Sequence, residues 1–201
     1  MGSLFERNVE GMTACLSRTV IGIAGCGGIG SNVAAALVRA GAGGLLIADF
    51  DTVEISNLNR QYFFLEDLGL KKSDALKNRL LMINPDCSIF SYSKKLERED
   101  IKDIFGNADL LIEAFDDAES KRWLIEEWAC SFPAKPVVSG NGLSGYGKFE
   151  NIGIKKAGNI YFCGDGVSSM EEGLCSARVA IVANIQANLA IEIMMNKTRE
   201  R

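Results

Sequence analysis

The feature that most constrains the fold of this chain is a glycine-rich turn between an apolar run and a helical pattern. Residues 19–24 read TVIGIA, which is typical of a short buried strand. Residues 25–30 read GCGGIG, and residues 31–40 have helical spacing that stops at Gly41. Residues 45–50, LLIADF, predict a second buried strand. A strand, a turn, a helix and a strand in this order predict two parallel strands joined by a crossover.

The glycines of this turn, Gly25, Gly27, Gly28 and Gly30, predict a nucleotide site. Without side chains the backbone can approach a phosphate closely, and a helix N-terminus offers free N–H groups and a positive dipole end. Asp49 ends the second strand, where it can accept hydrogen bonds from a ribose. A tight turn without a ligand is the plainer alternative. The motif indicates a nucleotide and does not specify which one.

The rest of the chain alternates strand and helix patterns. Strands are predicted at 88–92, 110–115 and 137–138, and helices at 72–83, 98–105, 119–130 and 176–195. Residues 145–163 alternate weakly and predict antiparallel strands. The predicted fold is therefore α/β: a Rossmann-like, mostly parallel sheet with helices on both faces and a C-terminal antiparallel extension. Residues 1–18 predict an N-terminal helix or arm, and residues 19–201 a single domain.

Length and charge exclude several classes of protein. The 201 residues suffice for one domain, and the net charge of −4 argues against a nucleic-acid binder. The most apolar late stretch, residues 179–195, is interrupted by polar side chains and does not predict a membrane span. Residues 1–10 have no apolar core and do not predict a secretory signal. We therefore expect a cytoplasmic protein.

Histidine is absent from the sequence, and no two cysteines have the spacing of a metal-binding or redox motif. The first observation excludes Ser-His-Asp and Cys-His hydrolases and every histidine general base. The six cysteines form no C-x-x-C pair, so neither a disulfide framework nor a zinc site is expected. The chemistry must depend on carboxylates, cations, thiols or backbone dipoles.

Charged residues beyond the second strand favour ATP over NAD. Residues 49–61 read DFDTVEISNLNRQ, and Arg60 and Lys72 supply two cations near the carboxyl edge of the sheet. The glycine turn alone can satisfy the pyrophosphate of NAD, whereas a triphosphate calls for extra cations and usually Mg²⁺. Two solvated surface charges are the plainer interpretation of Arg60 and Lys72.

Two adjacent acids follow the fourth predicted strand, within the sequence EAFDD. Asp117 is the better candidate for the N-cap of the next helix. Asp116 is the better candidate for a magnesium ligand, because a carboxylate at this edge can hold Mg²⁺ against phosphates.

The stretch GCGGIGSNVAAALVRAGAGGLLIADFDTVEISNLNRQYF resembles the nucleotide-binding core of the ThiF/MoeB/HesA family, the bacterial relatives of ubiquitin-activating enzymes. The resemblance is carried by the ordered set of glycine turn, D-x-D, S-N-L-x-R-Q, a lysine and a later aspartate. It implies binding of Mg-ATP and of the C-terminal Gly-Gly tail of a ubiquitin-like protein. The tail carboxylate would attack the α-phosphate and give an acyl-adenylate and pyrophosphate.

The resemblance also implies residue roles and partners. Asp49 and Asp51 match ribose-side acids, Asp116 matches the magnesium aspartate, and the phosphate-side groups match Asn57, Arg60, Gln61 and Lys72. Family members are homodimers in which an N-terminal arginine enters the partner's site, and Arg7 is the candidate here. The short length and the lack of zinc motifs resemble the compact ThiF subgroup. That subgroup implies a ThiS-like sulfur carrier of thiamine biosynthesis and a sulfur donor such as a cysteine desulfurase.

Cys175 precedes the last predicted helix, where a helix N-terminus favours the thiolate. It also matches the family position proposed to bond covalently to the carrier, and a purely structural thiol is the alternative. Cys163 is the rival thiol and lies at a predicted strand end without a helix dipole.

Three alternatives remain open from the sequence. The glycine turn and Asp49 alone would allow an NAD-dependent oxidoreductase, although no histidine is available as a proton donor. A nucleotide-sensing module without catalysis is the second. The third is activation of a different carboxylate, such as a peptide end or a tRNA-linked threonylcarbamoyl group.

Overall fold

The computed structural model describes residues 4–199, and their centre is one seven-stranded sheet. The strands are β1 (Val20–Ala24), β2 (Gly44–Ala48), β3 (Ser88–Tyr92), β4 (Leu110–Glu113), β5 (Val137–Gly140), β6 (Gly153–Ala157) and β7 (Ile160–Gly164). Their spatial order is β3-β2-β1-β4-β5-β7-β6. Every neighbouring pair is parallel except β6 and β7, which are antiparallel. The predicted fold class is confirmed.

Helices cover both faces of the sheet. They are α1 (Met12–Leu16), α2 (Gly28–Ala40), α3 (Lys72–Leu81), α4 (Asp100–Phe105), α5 (Ala118–Ser131) and α6 (Ser176–Arg199). Strand side chains alternate between the faces, so Ile21 and Ile23 join the core under α2, α3 and α6, whereas Ala24 joins the core under α4 and α5. Burial on both faces explains why the central strands read as continuous apolar runs.

Two regions differ from the sequence-based expectation. The predicted N-terminal arm contains only the five-residue helix α1, preceded by turns, and residues 1–3 lie outside the described part. The predicted antiparallel segment 145–163 is strand only from Gly153 onward. Its first part is a loop in which Gly145 and Gly147 have φ of 75° and 59°, a conformation that interrupts strand pairing.

Helix α6 is longer than predicted and packs across the core. By length and composition alone it is apolar enough to cross a membrane, which the sequence interpretation did not anticipate. Val179, Val182, Ala183 and Ala187 on this helix are buried in the core beneath α2 and the sheet. Packing within the domain therefore accounts for much of its apolar character.

Candidate functional site

A cavity of about 990 Å³ lies at the carboxyl edge of the sheet. One wall comes from the segments that follow β1 and β2, and a second from the turn after β4 and the start of α5. The third wall follows β5 and β7 and ends on the first turn of α6. Because all these strands are parallel, their carboxyl ends converge here, as ligand sites do in open α/β sheets.

The glycine turn forms part of the first wall and depends on two glycines for its shape. Gly25 has φ of 97°, and a Cβ there would lie 2.7 Å from the carbonyl oxygen of Ala114. A Cβ on Gly30 would lie 1.8 Å from the carbonyl oxygen of Gly25, so α2 can approach β1 only without a side chain there. Gly27 and Gly28 line the cavity, and Gly30 does not.

Asp49 connects the glycine turn to the end of β2. Its Oδ2 accepts a hydrogen bond from the backbone N–H of Cys26 at 2.6 Å, and its Oδ1 accepts one from Asp51 N–H at 2.8 Å. Burial raises the pKa of Asp49, and the two backbone hydrogen bonds oppose that rise. Asp49 also lines the cavity, where its remaining lone pairs can meet a ribose.

Both predicted cations line the cavity and are engaged locally. The Nζ of Lys72 is buried and lies 2.8 Å from Oδ2 of Asp51. The Nη1 of Arg60 donates to the carbonyl oxygen of Ser56 at 3.0 Å and to Asn59 Oδ1 at 2.8 Å. An ammonium carries three donors and a guanidinium five, so both groups keep donors for a phosphate chain.

Gln61 is the buried polar group that points most directly to a ligand. Its Oε1 is inaccessible to solvent and has no hydrogen-bond partner among residues 4–199, while the side chain lines the cavity beside Gly27. Leaving a buried acceptor unpaired costs free energy, which a bound donor would recover.

The two acids after β4 differ in their surroundings, and the predicted N-cap role of Asp117 is confirmed. The side chain of Asp117 accepts from the backbone N–H of Ser120 at 2.7 Å and caps α5, and this hydrogen bond lowers the pKa of Asp117. Asp116 is exposed on the cavity wall. Within residues 4–199 no cluster of three or more His, Cys, Asp or Glu side chains could hold a metal alone. Mg²⁺ commonly takes one or two carboxylates and completes its shell with phosphates and water, so Asp116 fits it.

Sequence reasoning missed a fully buried acid at the end of β4. Glu113 accepts hydrogen bonds from Phe115 N–H, Lys121 Nζ and Ser139 Oγ at 2.7, 2.8 and 2.6 Å. Lys121 and Ser139 both line the cavity. The available signal was an acid at the last position of an apolar strand pattern, where a buried carboxylate requires partners.

One buried ion pair connects the loops of the third wall to α6. The Nη2 of Arg178 lies 2.5 Å from Oδ2 of Asp165, and its Nη1 donates to the carbonyl oxygen of Gly147. Burial alone would raise the pKa of Asp165, but hydrogen bonds from Ser168 and Val167 N–H and from Arg178 hold it below its ordinary value. This pair joins α6 to both loops of the wall.

The remaining predicted residues do not line the cavity. Asn57 lies off the cavity wall, because its Oδ1 accepts from Glu54 N–H at 3.0 Å and closes a local turn. Cys175 directly precedes α6, as predicted, and is partly exposed, but its neighbours Leu174 and Val179 line the cavity and it does not. Burial raises the pKa of Cys163 to about 12, which suppresses its thiolate. Arg7 is exposed in the turns before α1.

Curated relatives share this sequence over most of its length. Adenylyltransferase and sulfurtransferase UBA4 of Eremothecium gossypii is 34% identical over 86% of this chain and 40% of its own. The molybdopterin-synthase adenylyltransferase of Haemophilus influenzae is 30% identical over 86% of this chain and 73% of its own. The chain therefore spans less than half the length of the first relative and most of the second.

Solved structures share the fold. E. coli tRNA N6-threonylcarbamoyladenosine dehydratase, TcdA, superposes with a TM-score of 0.87 at 20% identity, covering 96% of this chain and 92% of that chain. The same enzyme in complex with ATP gives a TM-score of 0.84 at 22% identity. At these identities the likeness shows a common fold.

The sequence also matches a family model over most of its length. The ThiF family model matches residues 5–201, which include the glycine turn, the polar segment after β2 and the final helix. The chain belongs to the ThiF family.

Proposed function

We propose that this protein is an ATP-dependent adenylyltransferase that activates the C-terminal carboxylate of a small ubiquitin-like sulfur-carrier protein. The observation that carries the proposal is that Gly27, Arg60, Lys72 and Asp116 line the same cavity. This set offers backbone N–H groups, two cations and one free carboxylate, which suits a magnesium triphosphate better than a dinucleotide. Adenylyltransferases among the curated relatives support the same activity.

The proposed reaction needs no histidine. A tail carboxylate is ionised at neutral pH, so its oxygen can attack the α-phosphorus of ATP without a general base. A carboxylate–phosphorus bond forms, the bond from the α-phosphorus to the bridging oxygen breaks, and pyrophosphate leaves. Arg60 and Lys72 would hold the phosphates, Asp49 the ribose, and the third wall the incoming tail. Catalysis would consist of positioning and charge neutralisation.

Mg²⁺ would be held by Asp116 together with the phosphates. The ion would neutralise phosphate charge while the chain's own residues orient the nucleotide. Asp116 suits this role because its carboxylate is exposed in the cavity and has no hydrogen bond within the described residues.

The finer assignment follows from the resemblance to the compact subgroup. We propose a ThiS-like carrier for the thiazole of thiamine, a sulfur donor such as a cysteine desulfurase, and a cytoplasmic location. We further propose a homodimer in which Arg7 reaches the partner's site. The named functions of the relatives, molybdopterin synthesis and sulfur transfer, make related carriers the direct competitors.

A second candidate substrate is a tRNA-linked threonylcarbamoyl carboxylate. Two observations favour it: the fold of TcdA, and basic residues Lys94, Lys95 and Arg122 on the cavity wall, where a polyanion could dock. The net charge of −4 opposes it. The two substrates share the adenylation chemistry and differ in the macromolecule that carries the carboxylate.

The test is exchange of labelled pyrophosphate into ATP, measured with purified ubiquitin-like carriers and, separately, with modified tRNA. Carrier-dependent exchange is the expected result. Asp116→Asn should lower it by about 100-fold or more, because the magnesium carboxylate is lost. Asp117→Asn is the matched control, since it removes the same charge one residue away and asparagine still caps a helix.

Exchange driven only by tRNA would select the second candidate. Tight NAD binding without ATP binding would favour an oxidoreductase, and ATP binding without exchange would favour a nucleotide-sensing module. Normal exchange in the Asp116→Asn variant would remove Asp116 from the mechanism.

A further inference from the structure

The carboxylate of Glu113 collects three hydrogen bonds in a fully buried position at the end of β4. The donors belong to three different elements: Phe115 N–H in the turn after β4, Lys121 in α5, and Ser139 in β5. A buried charge is tolerated only when it is paired and hydrogen-bonded, and this one is. Glu113 therefore fixes the turn, the helix and the strand relative to one another.

The turn that Glu113 fixes carries Asp116. Phe115, whose N–H bonds to Glu113, is the residue immediately before it. The Asp116 carboxylate forms no hydrogen bond within residues 4–199, so the backbone of the turn determines where it lies. On the same side of the turn, Ala114 N–H donates to the carbonyl oxygen of Ala24 in β1 at 2.9 Å, and on the other side the Asp117 side chain accepts from Ser120 N–H at 2.7 Å. The Glu113 side chain thus supplies the side-chain hydrogen bond on the β4 side of Asp116, and the Asp117 side chain supplies the one on the α5 side.

We propose that Glu113 is a positioning residue that holds Asp116 in place for Mg-ATP and, through the same carboxylate, keeps the Lys121 ammonium neutralised. This role rests on the proposed function, because it concerns the metal side of that site. Burying an ion pair gives little net stability compared with apolar residues of similar size. Placement of Asp116 explains why a charged network occupies this position, since small displacements of a metal-binding group lower affinity strongly.

The test measures the affinity for ATP by calorimetry, with Mg²⁺ and with chelator, in otherwise identical conditions. The ratio of the two affinities reports the metal side of the site, and a loss of general stability does not change it. Glu113→Gln should lower this ratio by about tenfold although Asp116 is intact. Ser139→Ala removes one of the three donors and should lower it by about two- to threefold. It serves as the milder variant if Glu113→Gln folds poorly.

Two controls separate positioning from charge. Glu127→Gln removes a charge from another α5 ion pair, with Arg98, and should leave the ratio unchanged. Glu113→Gln also frees Lys121, which could bind phosphates without metal. The double variant Glu113→Gln with Lys121→Gln removes that cation, and its ratio should stay low. Recovery of the ratio in the double variant would overturn the positioning role.

A second readout does not involve ATP. Amide hydrogen exchange over residues 114–117 should accelerate about tenfold or more in Glu113→Gln, because glutamine leaves one acceptor oxygen for three donors and so weakens the hydrogen bond from Phe115 N–H. Unchanged exchange, or a wild-type ratio in both Glu113→Gln and Ser139→Ala, overturns the proposal for Glu113 and leaves the proposed function standing. If the wild-type protein shows no Mg²⁺-dependent ATP binding, the proposed function fails and the role of Glu113 at the metal fails with it.

Discussion

The first and third walls of the cavity are built in different ways. The first wall, after β1 and β2, is fixed by close backbone contacts: the glycine turn lies against Ala114, which follows β4, and the Asp49 carboxylate accepts hydrogen bonds from two backbone N–H groups. The third wall, after β5 and β7, consists of glycine-rich loops. Backbone hydrogen bonds such as Asp165 N–H to the carbonyl oxygen of Gly142 join these loops to each other, and the Asp165–Arg178 pair joins them to α6. The first wall should be sensitive to any change that disturbs its backbone, and the attachment of the third wall to α6 should depend on the ion pair.

This difference matches the two ligands that the walls would hold. A nucleotide has a fixed shape that a rigid backbone can fit in advance, with little reorganisation on binding. A peptide tail is flexible and enters from outside, which suits loops that can adjust. Variants on each side and a change of pH can separate the two walls.

The largest effect should come from the glycine turn. Gly30→Ala places a Cβ 1.8 Å from a backbone oxygen that cannot move, so the variant should fail to fold or should lose ATP binding completely. The matched change Gly27→Ala meets only Gln61 Nε2, at 3.9 Å, and should fold. It should still lower the affinity for ATP about tenfold or more, because the added methyl group occupies space that the phosphates would use. Thermal unfolding and calorimetric measurement of ATP binding check both variants. A Gly30→Ala protein that is stable and binds ATP would contradict the proposed rigidity of the first wall.

Loss of the ion pair in the third wall should have the second largest effect. Arg178→Met leaves Asp165 buried and unpaired, and should lower the free energy of unfolding by about 3 kcal/mol. Carrier-dependent exchange should fall more than ATP affinity, because only the third wall loosens. The exposed pair of Arg122 and Glu126 is the control, and Arg122→Met should cost less than about 1 kcal/mol. If Arg178→Met lowers ATP affinity as much as carrier-dependent exchange, the two walls are not independent.

Cys175 tests the boundary between the third wall and α6. Cys175→Ser should leave pyrophosphate exchange within about twofold of wild type, since the thiol lies off the cavity wall. It should abolish any covalent adduct with the carrier, detected by intact mass under non-reducing conditions. Cys130→Ser, at another exposed cysteine, is the control. An adduct that survives in Cys175→Ser would assign the bond to a different thiol.

The smallest expected effect is a pH dependence of opposite sign in the two walls. The pKa of Asp165 is lowered, so its contribution is present at neutral pH and disappears as pH falls from the ordinary aspartate pKa through the lowered one. The pKa of Asp49 is raised by burial, so acid first relieves the cost of its charge. The difference in free energy of unfolding between wild type and Asp165→Asn should fall by about 1 kcal/mol on acidification. The stability of wild type relative to Asp49→Asn should instead rise.

Denaturant unfolding at a series of pH values measures both differences. Parallel curves for the two variants would contradict the opposite signs.

Local sequence was enough to place most of the predicted residues of the first wall at this edge of the sheet, although Asn57 lies off the cavity wall. The glycine turn, Asp49 and Lys72 each lie next to a strand end or a helix start, and the parallel-sheet rule brings such ends together. The N-cap role of Asp117 was predictable for the same reason, because it depends on a partner three residues away.

The sequence could not predict the side-chain networks. The hydrogen bond from Ser139 to Glu113 spans 26 residues, and the Asp165–Arg178 pair spans 13 with no periodicity linking them. Such partners meet only after the sheet has formed. The loop before β6 also escaped prediction, because weak polar alternation resembles a strand until the positive φ of Gly145 and Gly147 is known.

The most direct test of the central claim is a crystal structure of the protein with Mg²⁺ and a non-hydrolysable ATP analogue. We expect the phosphate chain on the glycine turn, Arg60 and Lys72 turned toward it, and the ion beside Asp116. A nucleotide bound elsewhere, or these three side chains directed away from the phosphates, would contradict the claim.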